Sequence, residues 1–258
     1  MSAENPFEDL ESGYEGVGEF YDLFADNSDI PFFIEYARMT GSPILDLGAG
    51  TGRVTFALAQ EGFEVVALER SKSMLSVAKK RLENSTPDIA ARIQIIEGSM
   101  KNFSLDQKFS LIIVPNSFGH LLTTTDQLSA LNCIRNHLTD EGIFILDIYP
   151  GAHQYEQAKF EDPPAKLSDG RIVRRSGEIK SDFIRQIMRV ELNYTIQNVN
   201  GTVIDTINVV SGAALIFNRE ADLLVRMSGL NNENEFGDFQ KNPFTLDSGR
   251  RIFILRKR

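Results

Sequence analysis

The chain contains few of the residues on which several classes of protein depend. Its 258 residues include one cysteine, no tryptophan and three histidines. One cysteine forms no internal disulfide, which excludes a disulfide scaffold and favours a reducing, cytoplasmic compartment. The histidines have no acidic or histidine neighbours at ligand spacing, so we expect no metal site. No apolar run approaches the roughly 20 residues that span a bilayer, so we expect no membrane association.

Positive charge is missing from the start of the chain. Residues 1–35 hold ten acidic side chains and no lysine or arginine, and the whole chain has a net charge of −9. This start lacks a basic and apolar leader pattern, so we expect no signal peptide. An acidic protein binds nucleic acid poorly, so no nucleic-acid partner is expected. The acidic segment is either a solvated tail or a lid that favours a cationic ligand.

What the sequence does contain is an alternation of apolar strands and amphipathic helices. Continuous apolar runs favour parallel strands that are buried on both faces between helical layers. We therefore expect an α/β, doubly wound core over residues 41–150, preceded by an N-terminal lid or arm at 1–40. The strands are predicted at 44–47, 63–68, 93–98, 109–114 and 142–148. The helices are predicted at 53–61, 72–83 and 125–138, with Ser71 as the N-cap of the second.

The pattern changes after residue 150. Alternating apolar and polar residues flank the turn signals Asp169-Gly170 and Asn200-Gly201, which is typical of antiparallel hairpins. We expect a small antiparallel β insert at 151–212, after the fifth strand, that serves as a substrate cap or as the face of a homodimer. A helix that ends at Gly229 and a last strand pair then complete the core sheet within 213–258.

The stretch ILDLGAGTGR, residues 44–53, joins the first strand to a glycine-rich turn. Its glycines lie at positions 48, 50 and 52, whereas the G-x-G-x-x-G fingerprint of dinucleotide-binding proteins requires a glycine at position 53, which is arginine here. The Gly-Lys-Ser/Thr of a P-loop is also missing. Asp46 precedes the turn, and Glu69 ends the next strand. The first carboxylate repels a pyrophosphate and attracts an ammonium group, and the second is placed to accept ribose hydroxyls. The turn thus predicts a ligand with a cationic end and a free ribose.

These features resemble the class I S-adenosylmethionine-dependent methyltransferases, as do VVALERSKSML, IIEGSM, LIIVPNSFGHL and GIFILDIY, which follow in the same order. The resemblance covers residues 44–149 and implies a mostly parallel seven-stranded sheet with an antiparallel last strand. It implies S-adenosyl-L-methionine as cofactor and S-adenosyl-L-homocysteine as product. The glycine turn would meet the methionine end, Glu69 the ribose and Met74 the adenine. Where the family often has an acidic adenine contact, this chain has Ser99.

The resemblance implies cofactor contacts in several segments, at Tyr21, Asp46, Gly48, Ala49, Gly50, Glu69, Arg70, Met74, Ser99, Met100 and Asn116. His120 follows the fourth strand, where it either orients an acceptor amine and takes its proton or is a structural hydrogen-bonding residue. Tyr14 and Tyr21 lie about two helical turns apart and are expected on one helix face. GYEGVGEFYDLF and NSFGHL resemble N-methyltransferases of amino sugars, which makes Tyr14 and His120 the predicted catalytic residues.

The sequence therefore predicts an enzyme that transfers a methyl group to nitrogen or oxygen of a small molecule. Two alternatives stay open: a methyltransferase that acts on RNA or protein, and a non-catalytic binding module with the same fold. Basic residues of the insert admit an anionic partner, although a solvated sheet face is the favoured interpretation. These residues are Arg171, Arg174, Arg175, Lys180, Arg185 and Arg189.

Overall fold

Five parallel strands and the helices between them form the first part of the fold, in a computed structural model that describes residues 7, 10, 13–149 and 156–257. The strands are β1 (Ile44–Leu47), β2 (Val65–Glu69), β3 (Ile93–Glu97), β4 (Phe109–Val114) and β5 (Leu138–Ile148). The helices are α1 (Gly18–Tyr21), α2 (Ile30–Thr40), α3 (Arg53–Gln60), α4 (Lys72–Glu83), α5 (Pro87–Ala90) and α6 (Thr124–His137). Short 3-10 helices lie at Asp22–Phe24 and Phe118–His120. The elements predicted for this region are present, and β5 begins earlier than expected.

Capping side chains determine where two of these helices begin. At the start of α4 the Ser71 hydroxyl accepts the Met74 N–H at 3.3 Å, as the sequence predicted. At the start of α6 the Thr123 hydroxyl accepts the Asp126 N–H at 3.1 Å. Each cap satisfies an amide that the helix itself leaves without a partner.

A second, antiparallel sheet follows the parallel strands. It consists of β6 (Gln157–Glu161), β7 (Ala165–Lys166), β8 (Ile172–Asp182), β9 (Ile187–Gln197) and β10 (Val203–Ala214). The strand order is β10-β9-β8-β6, and β7 also pairs with β8. Both predicted hairpins are present, and Gly170 and Gly201 adopt positive φ angles of 89° and 81° in their turns. The antiparallel β insert after β5 is thus confirmed.

The chain then returns to the first sheet through α7 (Asn218–Met227), β11 (Leu230–Phe236) and β12 (Arg251–Lys257). The complete order is β11-β12-β5-β4-β1-β2-β3, with β12 antiparallel to β5. This confirms the doubly wound, mostly parallel seven-stranded sheet with an antiparallel last strand. Its strand order reverses between β1 and β4, and folds of this kind bind ligands beyond the carboxyl ends of the strands at that point.

Apolar layers cover both faces of the seven-stranded sheet. One layer joins the sheet to α6 and α7, and the other joins it to α2 and α3. Neighbouring residues of β4 enter opposite layers, Ile112 the first and Ile113 the second. Because both faces are covered, a ligand has access to the sheet at the edge where the strands end.

The acidic segment is attached to the core over residues 13–29. Glu15 accepts the Ser73 N–H at 2.8 Å, and Asp29 forms a two-pronged ion pair with Arg53 at 2.5 and 2.6 Å. These contacts show that this part of the segment is packed against the core, and its role as a lid stays a prediction. Four of the ten acidic residues, Glu4, Glu8, Asp9 and Glu11, lie outside the described residues.

Tyr14 and Tyr21 do not share one helix, so this prediction was wrong. α1 begins at Gly18, and Gly16, with a φ of 88°, interrupts any helical path from Tyr14. The two rings nevertheless meet, with centroids 5.8 Å apart. The aromatic pair is therefore assembled by a turn.

Gly52 allows α3 to start directly after the glycine turn. Its φ is 83°, and a Cβ there would lie 2.7 Å from the Phe56 ring. We expect Gly52→Ala to lower the free energy of unfolding by roughly 3 kcal/mol, from backbone strain and overpacking together. Gly62→Ala is the matched control, because Gly62 has a φ of 94° and no atom within 4 Å of a Cβ, so roughly 1 kcal/mol is expected. Equal losses in denaturant titrations would contradict the packing role.

Candidate active site

A cavity of about 1210 Å³ lies at the carboxyl ends of the parallel strands. The N-terminal segment, the glycine turn, the loop after β4 and one face of the second sheet, here called its inner face, contribute walls. Pockets for a single drug-sized ligand typically measure about 300–1,000 Å³. The cavity is therefore large enough for two ligands side by side.

The structure brings the residues predicted from the sequence to this one cavity. Its lining includes Tyr14, Tyr21, Asp46, Gly48, Ala49, Gly50, Glu69, Arg70, Met74, Ser99, Met100, Asn116 and His120. Shared lining shows that these residues are neighbours across the fold. What each can contribute depends on the contacts that it already makes within the protein.

The glycine turn presents bare backbone to the cavity. Gly48 and Gly50 have φ angles of 68° and 61°, and no atom lies within 4 Å of a Cβ built at Gly50. At Gly48 a Cβ would lie 2.7 Å from the side chain of Ser117, whose hydroxyl donates to the Gly48 carbonyl at 3.1 Å. The loop after β4 thus supports the turn from one side, and a ligand can approach the backbone from the other.

Asp46 is a buried carboxylate that lacks part of its hydrogen bonding. It is 1% exposed, and its Oδ2 accepts the Thr55 hydroxyl at 2.6 Å. Its Oδ1 has no partner within the described part of the chain. Burial raises the pKa of Asp46 to about 6, against the opposing effects of Thr55 and Arg53. Since an unpaired buried charge is costly, a cationic ligand group in the cavity would satisfy Asp46, whereas a pyrophosphate would be repelled.

Glu69 is already engaged with the backbone. Its Oε2 accepts the Gly50 N–H at 2.9 Å, and its Oε1 accepts those of Arg70 and Ser71 at 2.8 and 2.7 Å. A carboxylate has about four acceptor positions, so one remains for a ligand hydroxyl. Glu69 therefore fixes the glycine turn to the start of α4, a role that the sequence did not reveal.

Sulfur-containing side chains provide an apolar part of the lining. Met74 is buried in the first turn of α4, and the Met100 Cε approaches the glycine turn to within 2.9 Å of a Cβ built at Gly48. The Ser99 hydroxyl accepts the Lys101 N–H at a long 3.4 Å. Methionine side chains are flexible and make favourable contacts with aromatic rings, so this part of the lining is suited to pack against a purine.

His120 and Tyr14 are in edge-to-face contact, with ring centroids 5.4 Å apart. His120 Nδ1 lies 3.4 Å from the Gly212 carbonyl of β10. A proton on Nδ1, donated to that carbonyl, leaves Nε2 as an acceptor. Burial lowers the pKa of His120, so the ring is neutral at pH 7. Burial raises the pKa of Tyr14, so its hydroxyl stays protonated and does not act as a base.

One strand of the second sheet positions both of these rings. The buried Ser211 hydroxyl accepts the N–H of Gly13, the residue before Tyr14, at 2.9 Å. The same hydroxyl lies 3.4 Å from the Gly212 carbonyl that His120 contacts. β10 therefore helps to build the site, and no sequence motif indicated this.

An ion pair between Asp147 and Arg250 lines the cavity and was not predicted. Arg250 Nη1 donates to both Asp147 oxygens, at 2.7 and 3.0 Å. Asp147 also accepts the N–H of Asn116, which holds an unusual φ of 49°. Burial raises the pKa of Asp147 in spite of the arginine. Asp147 could have been found from the sequence, because it interrupts the apolar run GIFILDI just as Asp46 interrupts ILDL. Its partner could not, because Arg250 lies far away in the sequence.

Within 13–149 and 156–257, together with Phe7 and Leu10, no three histidine, cysteine or acidic side chains group as metal ligands. The helices in the same parts of the chain include none with the length and apolar character required to cross a membrane.

Residues 44–142 match the family model described as a methyltransferase domain. Together with the seven-stranded sheet, this match confirms the resemblance to the class I S-adenosylmethionine-dependent methyltransferases.

Two sequence matches and one structural match illustrate the similarity. A dTDP-3-amino-3,4,6-trideoxy-alpha-D-glucopyranose N,N-dimethyltransferase of Streptomyces venezuelae is 30% identical over 51% of this chain, which spans about half (52%) of that protein. A cypemycin N-terminal methyltransferase of Streptomyces sp is 25% identical over 85% of this chain and 84% of its own length. The crystal structure of Streptomyces venezuelae DesVI has the same fold, with a TM-score of 0.79 at 21% identity over 95% of this chain and 100% of that one.

Asp46→Asn tests how much the unpaired carboxylate lowers the free energy of unfolding. Because burial raises the pKa of Asp46 to about 6, the folded state holds a proton that the unfolded state releases, and stability falls as the pH rises from roughly 4 to 6. At pH 7.5 we expect the variant to be more stable than the wild type by roughly 2–3 kcal/mol, with a smaller difference at pH 4.5. Denaturant titrations at both pH values measure this.

Asp29→Asn is the matched control, because Asp29 is also buried but is paired with Arg53. Its loss leaves an arginine without its charge partner, so this variant is expected to be less stable than the wild type. A destabilised Asp46→Asn at pH 7.5 would contradict the description of Asp46.

Proposed function

We propose that the protein transfers a methyl group from S-adenosyl-L-methionine to an amine nitrogen of a small molecule, with S-adenosyl-L-homocysteine as product. The observation that carries the proposal is the buried Asp46 carboxylate with a free Oδ1 beside a bare glycine turn. S-adenosylmethionine has an ammonium group for Asp46, a ribose hydroxyl for Glu69 and a purine for the methionine-lined region. It has no phosphate for Asp46 to repel.

The remaining predicted contacts surround the same ligand. Ala49 and Gly48 offer backbone, while Arg70, Asn116 and Tyr21 line the cavity beside the turn and the lid. The Ser99 hydroxyl contacts the adenine where the family often has an acidic side chain. A hydroxyl forms a weaker hydrogen bond to the adenine than a carboxylate does.

When bound, S-adenosylmethionine supplies a methyl carbon that its sulfonium has already activated, so alignment of the acceptor is the main requirement. Neutral His120 is suited to this task, because Nε2 accepts an N–H of the acceptor and directs the nitrogen lone pair. The same atom then takes the proton that the methylated amine must lose. Tyr14 orients the acceptor as a hydrogen-bond donor and packs against the imidazole.

The site favours nitrogen over oxygen as the acceptor atom. An alcohol must lose its proton to become a good nucleophile, and an imidazole whose pKa is lowered by burial is a weak base for this purpose. A neutral amine already has a lone pair. The names of both aligned relatives likewise place the methyl group on nitrogen.

RNA is a less suitable acceptor, because the basic residues of the second sheet are neutralised. Each of the six lies within ion-pair distance of an acid, as in Arg175–Asp162 at 2.7 Å and Arg171–Asp169 at 2.7 Å. A neutralised face attracts a phosphate backbone weakly. The N-terminal amine of a peptide is the second candidate acceptor, because the cypemycin enzyme aligns over most of this chain.

Homodimerisation through the second sheet also belongs to this proposal. β10 is an edge strand of that sheet, and Val203, Ile204 and Val210 are exposed along it. An edge strand that exposes apolar side chains is a template for pairing with another chain.

The function is tested with n-hexylamine as acceptor and methyl-labelled S-adenosylmethionine. The wild type is expected to label the amine, and His120→Ala to lower kcat by about 100- to 10,000-fold, because the proton acceptor is lost. Ser211→Ala is expected to lower kcat by roughly tenfold, since it loosens Tyr14 and the Gly212 carbonyl. Calorimetric affinity for S-adenosylmethionine should stay unchanged in both variants.

Ser228→Ala is the matched control, because this serine is equally buried but hydrogen-bonds within α7, to the Val225 carbonyl. Its kcat should equal that of the wild type. A fully active His120→Ala would contradict the proposed role of His120 as proton acceptor. A wild type that binds no S-adenosylmethionine at millimolar concentration would favour the non-catalytic binding module.

A further inference from the structure

Five apolar side chains of the second sheet line the cavity: Phe160, Ile179, Met188, Val190 and Leu192. We call these five residues the apolar wall. Strand register places them side by side, with Ile179 opposite Val190, and with Leu192 and Phe160 on either side of Gly177. A Cβ at Gly177 would overlap the Phe160 ring, so the glycine gives the ring its place on the sheet.

The apolar wall adjoins the proposed catalytic residues. The Gly212 carbonyl that His120 contacts lies in β10 between Ser211 and Ala213. Ser211 pairs across the sheet with Val190, and Ala213 pairs with Met188. A molecule that reaches His120 therefore has apolar side chains immediately beside it.

Among the described residues, the N-terminal segment covers one part of this inner face. Val17, Phe20 and Phe24 of the N-terminal segment pack with Tyr194 and its neighbours. Phe160, Ile179 and Met188 are half-buried in the described structure and line the cavity. Their remaining apolar surface is therefore available to a ligand.

Three arginines that line the cavity are already matched by carboxylates. Arg53 pairs with Asp29, Arg250 with Asp147, and Arg175 with the nearby Asp162. Arg175 also stacks on the Phe24 ring at 4.5 Å. A carboxylate on the acceptor would have to compete with the existing partners of these three arginines.

We infer that the methyl acceptor is an amine with an apolar body, which lies on the apolar wall while its nitrogen reaches His120. This inference rests on the proposed function and narrows its substrate class. Burying one methylene group contributes about 0.8 kcal/mol, which corresponds to roughly a fourfold gain in affinity. Hydrophobic amines are therefore preferred over small zwitterions such as glycine.

The test measures binding separately from turnover. Primary n-alkylamines from propylamine to octylamine, and glycine, are titrated calorimetrically into protein saturated with S-adenosyl-L-homocysteine, which has no methyl group to transfer. For the wild type we expect the Kd to fall about three- to fivefold with each added methylene and glycine to give no binding. In Ile179→Asn the Kd should change much less with the length of the amine.

Ile184→Asn is the matched control, because Ile184 lies in the turn between β8 and β9 of the same sheet but is exposed to solvent, and it should keep the wild-type dependence. Met188→Gln, a substitution of similar size, replaces Ile179→Asn if the latter does not fold. A wild-type Kd that does not change with amine length, or tight binding of glycine, would overturn this inference but not the proposed function. Failure to bind S-adenosylhomocysteine would overturn the proposed function and this inference with it.

Discussion

The site depends on one buried carboxylate whose charge the protein leaves partly unmatched. Asp46 lies within an apolar strand, where Thr55 satisfies one oxygen and the other has no partner in the described structure. Such a group lowers the stability of the ligand-free protein and creates a preference for a cation. The glycine turn that follows lets a ligand reach it. Glu69 joins that turn to the start of α4, because it accepts one backbone amide of the turn and two that follow β2.

The acceptor side is built by segments outside the parallel core. The N-terminal segment brings Tyr14 over the cavity, and β10 holds both Tyr14, through Gly13, and His120, through a carbonyl. The imidazole is neutral because burial lowers its pKa, and the phenol stays protonated because burial raises its pKa. Both effects have the same origin, the exclusion of water, which also strengthens binding on the apolar wall. In the proposed function, the first sheet therefore serves the cofactor and the second sheet serves the acceptor.

Local features were predictable from the sequence and long-range pairings were not. The glycine turn, the Ser71 cap and both hairpins follow from short segments, and the structure contains them. Tyr14 and Tyr21 were expected on one helix face, but a positive-φ glycine interrupts the helix and their rings meet across a turn. The Asp147–Arg250 pair joins residues about a hundred positions apart, and the role of Ser211 exists only after β10 packs beside the core. Neither leaves a periodic or spacing signal in one sequence.

The most direct measurement is the number of protons released when S-adenosylmethionine binds at pH 6. Because the pKa of Asp46 is about 6, roughly half of the ligand-free molecules carry this proton, and an ammonium group at Oδ1 should displace it. Calorimetry in buffers of different ionisation enthalpy gives the count. The account predicts that the wild type releases about half a proton more than Asp46→Asn does. Equal release by both proteins would show that Asp46 does not meet the cofactor's cationic end.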